Sequence, residues 1–272
     1  MFSRAIVCQP APNFSTGLTT ADIGTPDYER ALKQHEAYCL ALKQCGLTLT
    51  RLAPDPLHPD STFVEDTAVL TNQCAVLTRP GAASREGEVA SIKKVLTGFY
   101  ADVLSIKPPG TVDGGDVCEA EDHFFIGISQ RTNEAGAWQL AESLALFGYT
   151  TSFVDIRGLN GMESVPGAVA TGSSHEGILH LKSGLSYLDD NRLVVIDALA
   201  NRPEFSKYDL VRVNDHEMYA ANCVRVNDHV LLAAGYPILD GKLRELGYQT
   251  IALEMSEFQK MDGGLSCLSL RF

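Results

Sequence analysis

The sequence of 272 residues lacks several features that mark whole classes of proteins. It contains no run of about 18 apolar residues, so it predicts no membrane-spanning helix. The segment from Met1 to Cys8 holds only a short apolar stretch, too short for the core of a signal peptide. Low-complexity blocks and wide Pro/Gly-rich linkers are also missing, and we therefore expect residues 1–272 to form a single domain.

Positive charge is scarce as well. The chain has 22 Lys and Arg residues against 34 Asp and Glu residues, which gives a formal net charge of −12. An acidic surface repels phosphate groups, so nucleic acids and anionic membranes are poor candidates for partners. The excess of carboxylates favours a small cationic molecule instead. The sequence leaves the oligomeric state open, and a homo-oligomer is compatible with it.

The seven cysteines include no CxxC spacing, and most of them have aliphatic neighbours. This pattern is typical of buried free thiols in a reducing compartment, so we expect a cytoplasmic protein without disulfides. Motifs of the types GxGxxG, GxxxxGK, GxSxG and HExxH are absent. Their absence argues against dinucleotide, P-loop, serine-hydrolase and zinc-hydrolase sites, and the sequence predicts neither a cofactor nor a metal.

A pattern of two β-rich runs joined by an Asn- or Asp-containing turn recurs along the chain. The turns lie at residues 71–73, 121–122, 189–191 and 227–228. Such turns favour hairpins because Asn and Asp tolerate positive φ angles. A fifth hairpin can form between the chain ends, where residues 267–270 pair with residues 5–7.

Amphipathic helices follow the hairpins. The spacing of apolar residues predicts helices at 28–45, 89–99 and 140–147, and Gly46 and Gly148 mark two of their ends. Each helix precedes a further short β-rich run, so the unit of hairpin, helix and strand repeats with a period of about 50 residues. Five such units use the whole chain. They predict an α/β propeller with five blades around a central pocket, and an open α/β sheet is the alternative.

Polar side chains gather where the hairpins begin. They are Asp60, Glu65 and Asp66 at the first, Asp113 and Asp116 at the second, His180 at the third and Cys267 at the fifth. Singly, an Asp before a strand is most often a cap or turn residue, and a His or Cys among aliphatic residues most often belongs to the core. If the five units are equivalent, however, all of these groups meet in one channel. We therefore predict a single central site.

Four segments of the chain resemble the signature blocks of the dimethylargininases, the dimethylarginine dimethylaminohydrolases of the guanidine-modifying superfamily. The segments are Phe63-Val64-Glu65-Asp66, Thr111-Val112-Asp113-Gly114-Gly115-Asp116, Leu179-His180-Leu181-Lys182-Ser183-Gly184-Leu185 and Asp262-Gly263-Gly264-Leu265-Ser266-Cys267. The resemblance covers essentially the whole chain, in order. It implies the pentein fold of that family, a five-bladed α/β propeller with pseudo-fivefold repeats and a central active-site channel.

The resemblance also implies roles for individual residues. Cys267 matches the family nucleophile, His180 its acid and base, and Asp113 the acidic partner of that histidine. The implied substrate contacts are Asp60, Glu65 and Asp66 for the guanidinium, Arg85 and Arg131 for the α-carboxylate, Leu18 on a mobile lid at 15–20, and the backbone of Met261. The segment from Arg157 to Gly177 departs from compact members of the family, and we expect it to be an inserted loop.

The implied activity is hydrolysis of dimethylarginine or monomethylarginine to citrulline and dimethylamine or methylamine. In this reaction Cys267 adds to the guanidinium carbon and forms a covalent thiouronium intermediate, while His180 first protonates the leaving amine and then activates water. Carboxylates suit such a substrate because they pair with the planar guanidinium in a bidentate manner. The expected partner is thus a small methylated arginine.

Three alternatives remain at the level of the sequence. An arginine deiminase-like or amidinotransferase activity uses the same thiol chemistry, and burial of the two N-methyl groups adds at most about 0.8 kcal/mol each. A non-catalytic propeller factor that binds a macromolecular partner shares the fold but does not need Cys267 and His180. A metallohydrolase with Cys267, His180 and Asp113 as zinc ligands lacks the paired spacing of common zinc sites.

Overall fold

The computed structural model describes residues 1–159 and 178–272, and within these ranges the chain forms five sheets of three strands each. The strands are β1 (Arg4–Cys8), β2 (Thr48–Leu52), β3 (Ala68–Leu70), β4 (Ala75–Leu77), β5 (Val103–Ser105), β6 (Val117–Ala120), β7 (His123–Ile128), β8 (Thr150–Asp155), β9 (Leu185–Tyr187), β10 (Arg192–Ile196), β11 (Asp209–Val213), β12 (Val224–Val226), β13 (His229–Ala233), β14 (Gln249–Leu253) and β15 (Leu270–Arg271). The helices are α1 (Tyr28–Gln44), α2 (Val89–Leu96), α3 (Glu134–Ala145), α4 (Pro237–Glu245) and α5 (Ser256–Gln259).

All five sheets share one topology. Two strands form an antiparallel hairpin, and the third strand follows a crossover connection and lies parallel to the middle one. The sheets are β15-β1-β2, β3-β4-β5, β6-β7-β8, β9-β10-β11 and β12-β13-β14. In the second of them, Val76 pairs with Val69 in the hairpin and with Leu104 in the parallel pair. The repeat predicted from the sequence is confirmed.

The first sheet joins the two ends of the chain. β15 pairs antiparallel with β1 through Ala5–Arg271 and Ile6–Leu270. The first strand of every sheet contributes to the lining of one cavity, with Val69, Val117, Ser186, Val224 and Leu270. The five sheets therefore surround a common axis. The fold is the predicted five-bladed α/β propeller, and the open sheet is excluded.

Local sequence signals fix the ends of two crossover helices. Asp27 and Asn133 cap α1 and α3, and each side chain accepts a hydrogen bond of 2.8 Å from an amide in the first turn. Gly46 and Gly148 follow the same two helices with φ angles of +94° and +85°, which glycine adopts without strain. The crossover between β10 and β11 differs, because it holds only the 3-10 turn Pro203–Phe205.

The starts of the hairpins differ from the prediction. The β-rich pattern at 63–70 predicts a strand throughout, but Val64–Thr67 forms a 3-10 segment and the strand begins only at Ala68. Glu65 and Asp66 are both buried. The 3-10 turn brings the two neighbouring carboxylates into one cluster, where Glu65 binds Lys182 and Asp66 binds Arg85. These turns, rather than strands, hold the polar groups of the site.

Three further predictions concern the cysteines, the membrane and the insertion. All seven cysteines are free thiols, and all except the partly exposed Cys267 are buried. In the parts of the chain that the structure describes, no helix has the length and apolar character needed to cross a membrane. The predicted insertion at 157–177 begins with the 3-10 turn Arg157–Leu159, and its remainder lies outside the described residues.

Candidate active site

Short 3-10 segments precede the first strands of the sheets, and four of them hold or adjoin predicted site residues. They are Val64–Thr67, Gly114–Asp116, Leu181–Ser183 and Ser266–Leu268. The first segment contacts the second and the fourth, and the second contacts the third. The propeller thus brings residues from four blades into one cluster, as the equivalence of the hairpins predicts.

His180 lies directly before the third segment and is paired with Asp113. Its Nε2 atom is 3.0 Å from Asp113 Oδ2, and both residues are buried. The other oxygen of Asp113 accepts a hydrogen bond of 2.8 Å from the Gly81 amide, which orients the carboxylate. Burial alone would lower the pKa of His180, but the charge of Asp66, the bond to Asp113 and the charge of Asp116 raise it to about 9. The imidazole is therefore protonated at neutral pH.

Asp66 contacts both the histidine and a buried cation. Its Oδ1 atom accepts a hydrogen bond of 2.8 Å from the Gly115 amide, and its Oδ2 atom accepts one of 2.5 Å from Arg85. Burial raises the pKa of Asp66, but the positive charges of His180 and Arg85 outweigh it and lower the pKa to about 2. A Cβ atom at Gly115 would lie 2.8 Å from the His180 ring and 2.9 Å from Asp66 Oδ1. Only glycine allows the backbone so close to both side chains.

Asp66, Asp113 and His180 also have the chemistry of metal ligands. One ligand atom from each lies within 4.8 Å of the others. Both carboxylates, however, already accept hydrogen bonds from backbone amides, and Asp66 also pairs with Arg85. Carboxylates arranged around an imidazole favour its protonated form. The absence of a metal from this cluster stays a prediction.

Cys267 lies in the fourth segment, and its sulfur accepts a hydrogen bond of 3.4 Å from the Gly264 amide. Burial raises the pKa of this thiol, and the negative charges of Glu65 and Asp66 raise it further, to about 12. The thiol is therefore protonated when no ligand is bound. The same carboxylates that disfavour the negatively charged thiolate attract a cation. The surroundings of the sulfur are therefore complementary to a positively charged ligand.

Glu65 connects three blades. Its Oε1 atom is 2.6 Å from Lys182 Nζ, and its Oε2 atom accepts a hydrogen bond of 2.6 Å from the Ser266 hydroxyl. Arg271 lies 3.6 Å from Oε1. The resemblance implies a substrate contact for Glu65, and the structure provides protein partners for both of its oxygens. The carboxylate is thereby held firmly beside the Cys267 segment.

Leu18, Asp60 and Met261 meet at the edge of this cluster. The Leu18 amide lies 3.0 and 3.2 Å from the two oxygens of Asp60. A Cβ atom at Gly17 would be 2.3 Å from Asp60 Oδ1 and 3.2 Å from Met261 Cε, so all three residues surround this glycine. Burial raises the pKa of Asp60, and the positive charge of Arg131 is among the effects that oppose it.

The segment predicted as a lid packs against the chain just before the Cys267 segment. Thr19 donates a hydrogen bond of 3.0 Å to the Lys260 carbonyl, and the Thr20 amide donates one of 2.5 Å to Asp262. Leu18 itself is 41% exposed. The segment is therefore docked in this structure, and its movement stays a prediction.

The two predicted carboxylate-binding arginines occupy different environments. Arg85 is buried and donates to Asp66, to Glu88 and to the Phe63 carbonyl, which uses all but one of its N–H groups. Arg131 is partly exposed, and within the described residues its side chain has neither a hydrogen bond nor an ion pair to the protein. Arg131 thus has donors available for a ligand, whereas those of Arg85 already serve the protein.

Sequence reasoning missed Lys182 and Asn222, and it placed Asp116 in the channel without giving it a role. Lys182 stands within a family-like block, two residues after His180, and a role could have been assigned from that spacing. Asp116 accepts a hydrogen bond of 3.0 Å from the Leu181 amide, next to His180, and burial raises its pKa to about 6. Asn222 lies outside all four blocks. Only its place after the 3-10 segment of the remaining blade, Asp215–Ala221, could have indicated it.

Comparison with known proteins gives the family. The chain is 42% identical to the N(G),N(G)-dimethylarginine dimethylaminohydrolase of Pseudomonas aeruginosa, with 100% of both chains covered. The chain belongs to the dimethylarginine dimethylaminohydrolase family. The protein of that name from Streptomyces coelicolor is 31% identical over 98% of this chain and 96% of its own. No family model matches the sequence.

Solved structures agree with this family and with the fold. A cysteine-to-serine mutant of the Pseudomonas aeruginosa dimethylarginine dimethylaminohydrolase, complexed with citrulline, matches 100% of the chain with a TM-score of 0.90. The N-terminal domain of ArgZ, an arginine dihydrolase from cyanobacteria, matches the same length with a TM-score of 0.83 at 19% identity. The second likeness extends to the propeller fold alone.

Proposed function

We propose that the chain hydrolyses Nω-methylated arginines to citrulline and a methylated amine, with Cys267 as nucleophile and His180 as acid and base. The family gives the reaction, and the surroundings of the sulfur support it most directly. Glu65 and Asp66 oppose a thiolate at Cys267, so the thiol becomes acidic only when a cation such as a guanidinium arrives. Substrate binding and activation of the nucleophile are then one event.

In the first half of the reaction, the bound guanidinium lowers the pKa of Cys267, and the thiol proton leaves to solvent. The thiolate sulfur forms a bond to the guanidinium carbon. The bond from that carbon to the methylated nitrogen then breaks, and the His180 imidazolium donates its proton to the departing amine. A pKa raised to about 9 supports this role, because the proton is present at neutral pH.

In the second half, the neutral His180 accepts a proton from a water molecule that attacks the thiouronium carbon. The carbon–sulfur bond breaks, the hydroxyl proton of the adduct leaves to solvent as the citrulline carbonyl forms, and the sulfur regains a proton from solvent. Asp113 keeps the imidazole oriented through both steps, since its own carboxylate is fixed by the Gly81 amide. The net change is addition of one water and release of one amine.

For recognition of the amino acid, we assign Asp60 and Asp66 to the guanidinium and Arg131 to the α-carboxylate. We assign Leu18 and the Met261 backbone to the rim of the pocket. The negative charge of Glu65, beside Cys267, attracts the guanidinium toward the sulfur. We assign Arg85 to holding Asp66 in place, because its donors already bind Asp66 and Glu88. Its last N–H group is the only one left for the carboxylate.

The test is citrulline release from dimethylarginine, monomethylarginine and arginine by the purified protein. We expect turnover of both methylated substrates and loss of more than about 10³-fold in Cys267→Ser. Cys39→Ala is the matched control, because Cys39 is a buried thiol in α1 outside the cluster. A Cys267→Ser variant that keeps its activity contradicts the proposal.

The same assay separates the alternatives. Turnover of arginine alone indicates a deiminase-like enzyme, and no turnover of any guanidine indicates a non-catalytic propeller. Labelling with iodoacetamide adds an independent measurement, since we expect substrate to change the alkylation of Cys267 and of no other cysteine. The proposal also includes a reducing, cytoplasmic location, which the seven free thiols support.

A further inference from the structure

We propose that Asn222 is a positioning residue, which fixes the Cys267 segment against the His180 segment through its side-chain amide. This inference rests on the proposed function, because it concerns the nucleophile and the acid of that reaction. Asn222 touches neither group directly. It is bonded to the residue beside Cys267 and to a backbone carbonyl two residues after His180.

Every polar atom of the Asn222 side chain is used in this connection. Its Oδ1 atom accepts a hydrogen bond of 2.9 Å from the Ser266 amide, and its Nδ2 atom lies 3.0 Å from the Ser266 hydroxyl. The same Nδ2 atom donates to the Lys182 carbonyl at 2.8 Å. The side chain is buried, with 6% of the residue exposed. A buried amide whose donors and acceptor are all satisfied is rigid and costly to rearrange.

The connection closes a ring of four residues beside the Cys267 segment. Ser266 donates to Glu65, Glu65 pairs with Lys182, and the Lys182 carbonyl binds Asn222, which returns to Ser266. Two blades supply Cys267 and His180, and Asn222 comes from a third. The ring therefore sets the spacing between the two segments, which no bond within either blade determines.

The backbone around the nucleophile is shaped to receive this amide. A Cβ atom at Gly264 would lie 2.4 Å from Asn222 Oδ1, so only glycine lets the two approach. Tyr219, one helical turn before Asn222, donates a hydrogen bond of 2.8 Å to the Gly263 carbonyl. The segment Asp215–Ala221 with Asn222 thus holds the chain from 263 to 266 at three points.

An amide suits this place better than a carboxylate. Glu65 and Asp66 already oppose the Cys267 thiolate. An Asp at position 222 would add a third negative charge and would lose both donated hydrogen bonds. Asparagine connects the two segments and adds no charge. The pKa of the Cys267 thiol therefore still responds to the positive charge of the substrate.

The inference predicts a fall in kcat with little change in KM. The residues assigned to substrate binding, among them Asp60, Asp66 and Arg131, make no contact with Asn222. Loss of the amide lets the Cys267 segment shift relative to the bound guanidinium, and a misplacement of about 1 Å costs about 100-fold in rate. We therefore expect kcat to fall about 100-fold in Asn222→Ala, with KM for dimethylarginine within threefold of wild type.

Asn227→Ala is the matched control. The Asn227 side chain also makes three hydrogen bonds, to the amide and carbonyl of Phe2 and to the Cys45 carbonyl, and it lies outside the catalytic cluster. We expect this variant to lose stability and to keep kcat within twofold. Asn222→Asp is the second test variant. It keeps the acceptor for the Ser266 amide and nearly the size of the side chain, but it removes both donated hydrogen bonds.

Alkylation of Cys267 by iodoacetamide, measured by mass spectrometry, gives a readout that does not need turnover. We expect at least fivefold faster labelling at pH 8 in Asn222→Ala, because the freed segment is less shielded, and no change in Asn227→Ala. For Asn222→Asp we expect the alkylation profile to shift to higher pH.

These measurements distinguish failure of the proposed function from failure of the role of Asn222. Wild-type protein without citrulline release refutes the proposed function, while the alkylation comparison still tests the role of Asn222. Active wild type with kcat within threefold in the folded Asn222 variants overturns the inference. Equal losses of kcat in Asn222→Ala and Asn227→Ala also overturn it, because they indicate general destabilisation.

Discussion

Two carboxylates near the central axis, Asp66 in the candidate site and Glu119 in the neighbouring cavity, have opposite environments. In the candidate site, Asp113 and Asp66 each accept at least two hydrogen bonds, counting the His180 contact, and these bonds fix their orientation. The cavity lined by the first strands has a volume of about 600 Å³ and is lined by Glu65, Lys182 and Ser266 but not by Cys267 or His180. The Glu65–Lys182 pair therefore separates the cavity from the reacting groups.

Glu119 shows the difference most clearly. It lines the cavity, and within the described residues its carboxylate accepts no hydrogen bond and joins no ion pair. Burial raises the pKa of Glu119 to about 7, whereas the bonded Asp66 has its pKa lowered to about 2. Burial raises the pKa of both carboxyls, but Asp66 also has the nearby charge of His180 and direct bonds from Arg85 and the Gly115 amide. These partners, rather than burial, account for the difference between the two carboxyls.

The largest effect that this comparison predicts is on His180. We expect His180→Gln to lower kcat by about 10³-fold, because the leaving amine then lacks its acid. Citrulline release under saturating dimethylarginine measures the effect. His123→Gln is the control, since His123 bonds only to Thr150 and Ser152 on a neighbouring strand. Similar kcat values for the two variants would contradict the assignment.

Arg85→Ala tests the buried network behind Asp66. The substitution leaves Glu88 and Asp66 as buried charges without their cation, so we expect the free energy of unfolding to fall by about 3–5 kcal/mol. Urea denaturation measures it. Arg131→Ala is the control, with an expected change within about 0.5 kcal/mol, because that side chain is partly exposed. Equal stability of the two variants would place Arg85 in substrate binding instead.

Arg131→Ala tests recognition of the substrate carboxylate. We expect KM for dimethylarginine to rise about 10- to 100-fold, since a hydrogen bond to a charged group contributes about 1.5–3 kcal/mol. The control is a substrate variant, a dimethylated guanidine with an amine but without a carboxylate. Its KM should be the same for wild type and Arg131→Ala. A rise in both KM values would show that Arg131 acts on the guanidinium end.

The fold could be predicted from the sequence to a large extent, because its signals are local. Asn- and Asp-containing turns, amphipathic spacing and glycine helix ends each depend on a few neighbouring residues, and five repeats of them define the propeller. The 3-10 segment Val64–Thr67 was predicted as part of a strand because its composition is β-rich. Its turn depends on contacts with the segments of two other blades, which the local sequence does not specify.

The candidate site could be predicted only as a set of residue types. The resemblance gave Cys267, His180 and Asp113, but it did not separate the environments of Arg85 and Arg131. Those environments depend on Glu88 and Asp66, which approach Arg85 only in the folded chain. Asn222 carries no motif at all. Its role follows from bonds to two segments that lie 40 and 44 positions away in the chain.

The pH dependence of kcat tests the carboxylates around His180. Chemistry needs the imidazolium, and the pKa of His180 is raised to about 9, so we expect kcat to fall as the pH rises through about 9. Asp113→Asn removes one of the negative charges that raise this pKa. The fall of kcat at alkaline pH should then begin about one pH unit lower, which is equivalent to about 1.4 kcal/mol. An unchanged limb would exclude His180 as the titrating acid.

The smallest effect is expected at Glu119, in the neighbouring cavity. A carboxyl whose pKa is raised in the folded state costs stability as the pH rises from the unfolded value through the folded value, here from 4.5 to about 7. Glu119→Gln removes that cost, so we expect it to raise the free energy of unfolding by about 1–2 kcal/mol at pH 8.5, without a gain at pH 4. Thermal or urea unfolding at the two pH values measures it, and kcat should stay within twofold. Glu121→Gln is the control, because its carboxylate is exposed and accepts a hydrogen bond of 2.9 Å from Tyr187. If Glu119→Gln is destabilising at pH 8.5, the carboxylate has a partner that stabilises it, and the contrast between Glu119 and Asp66 fails.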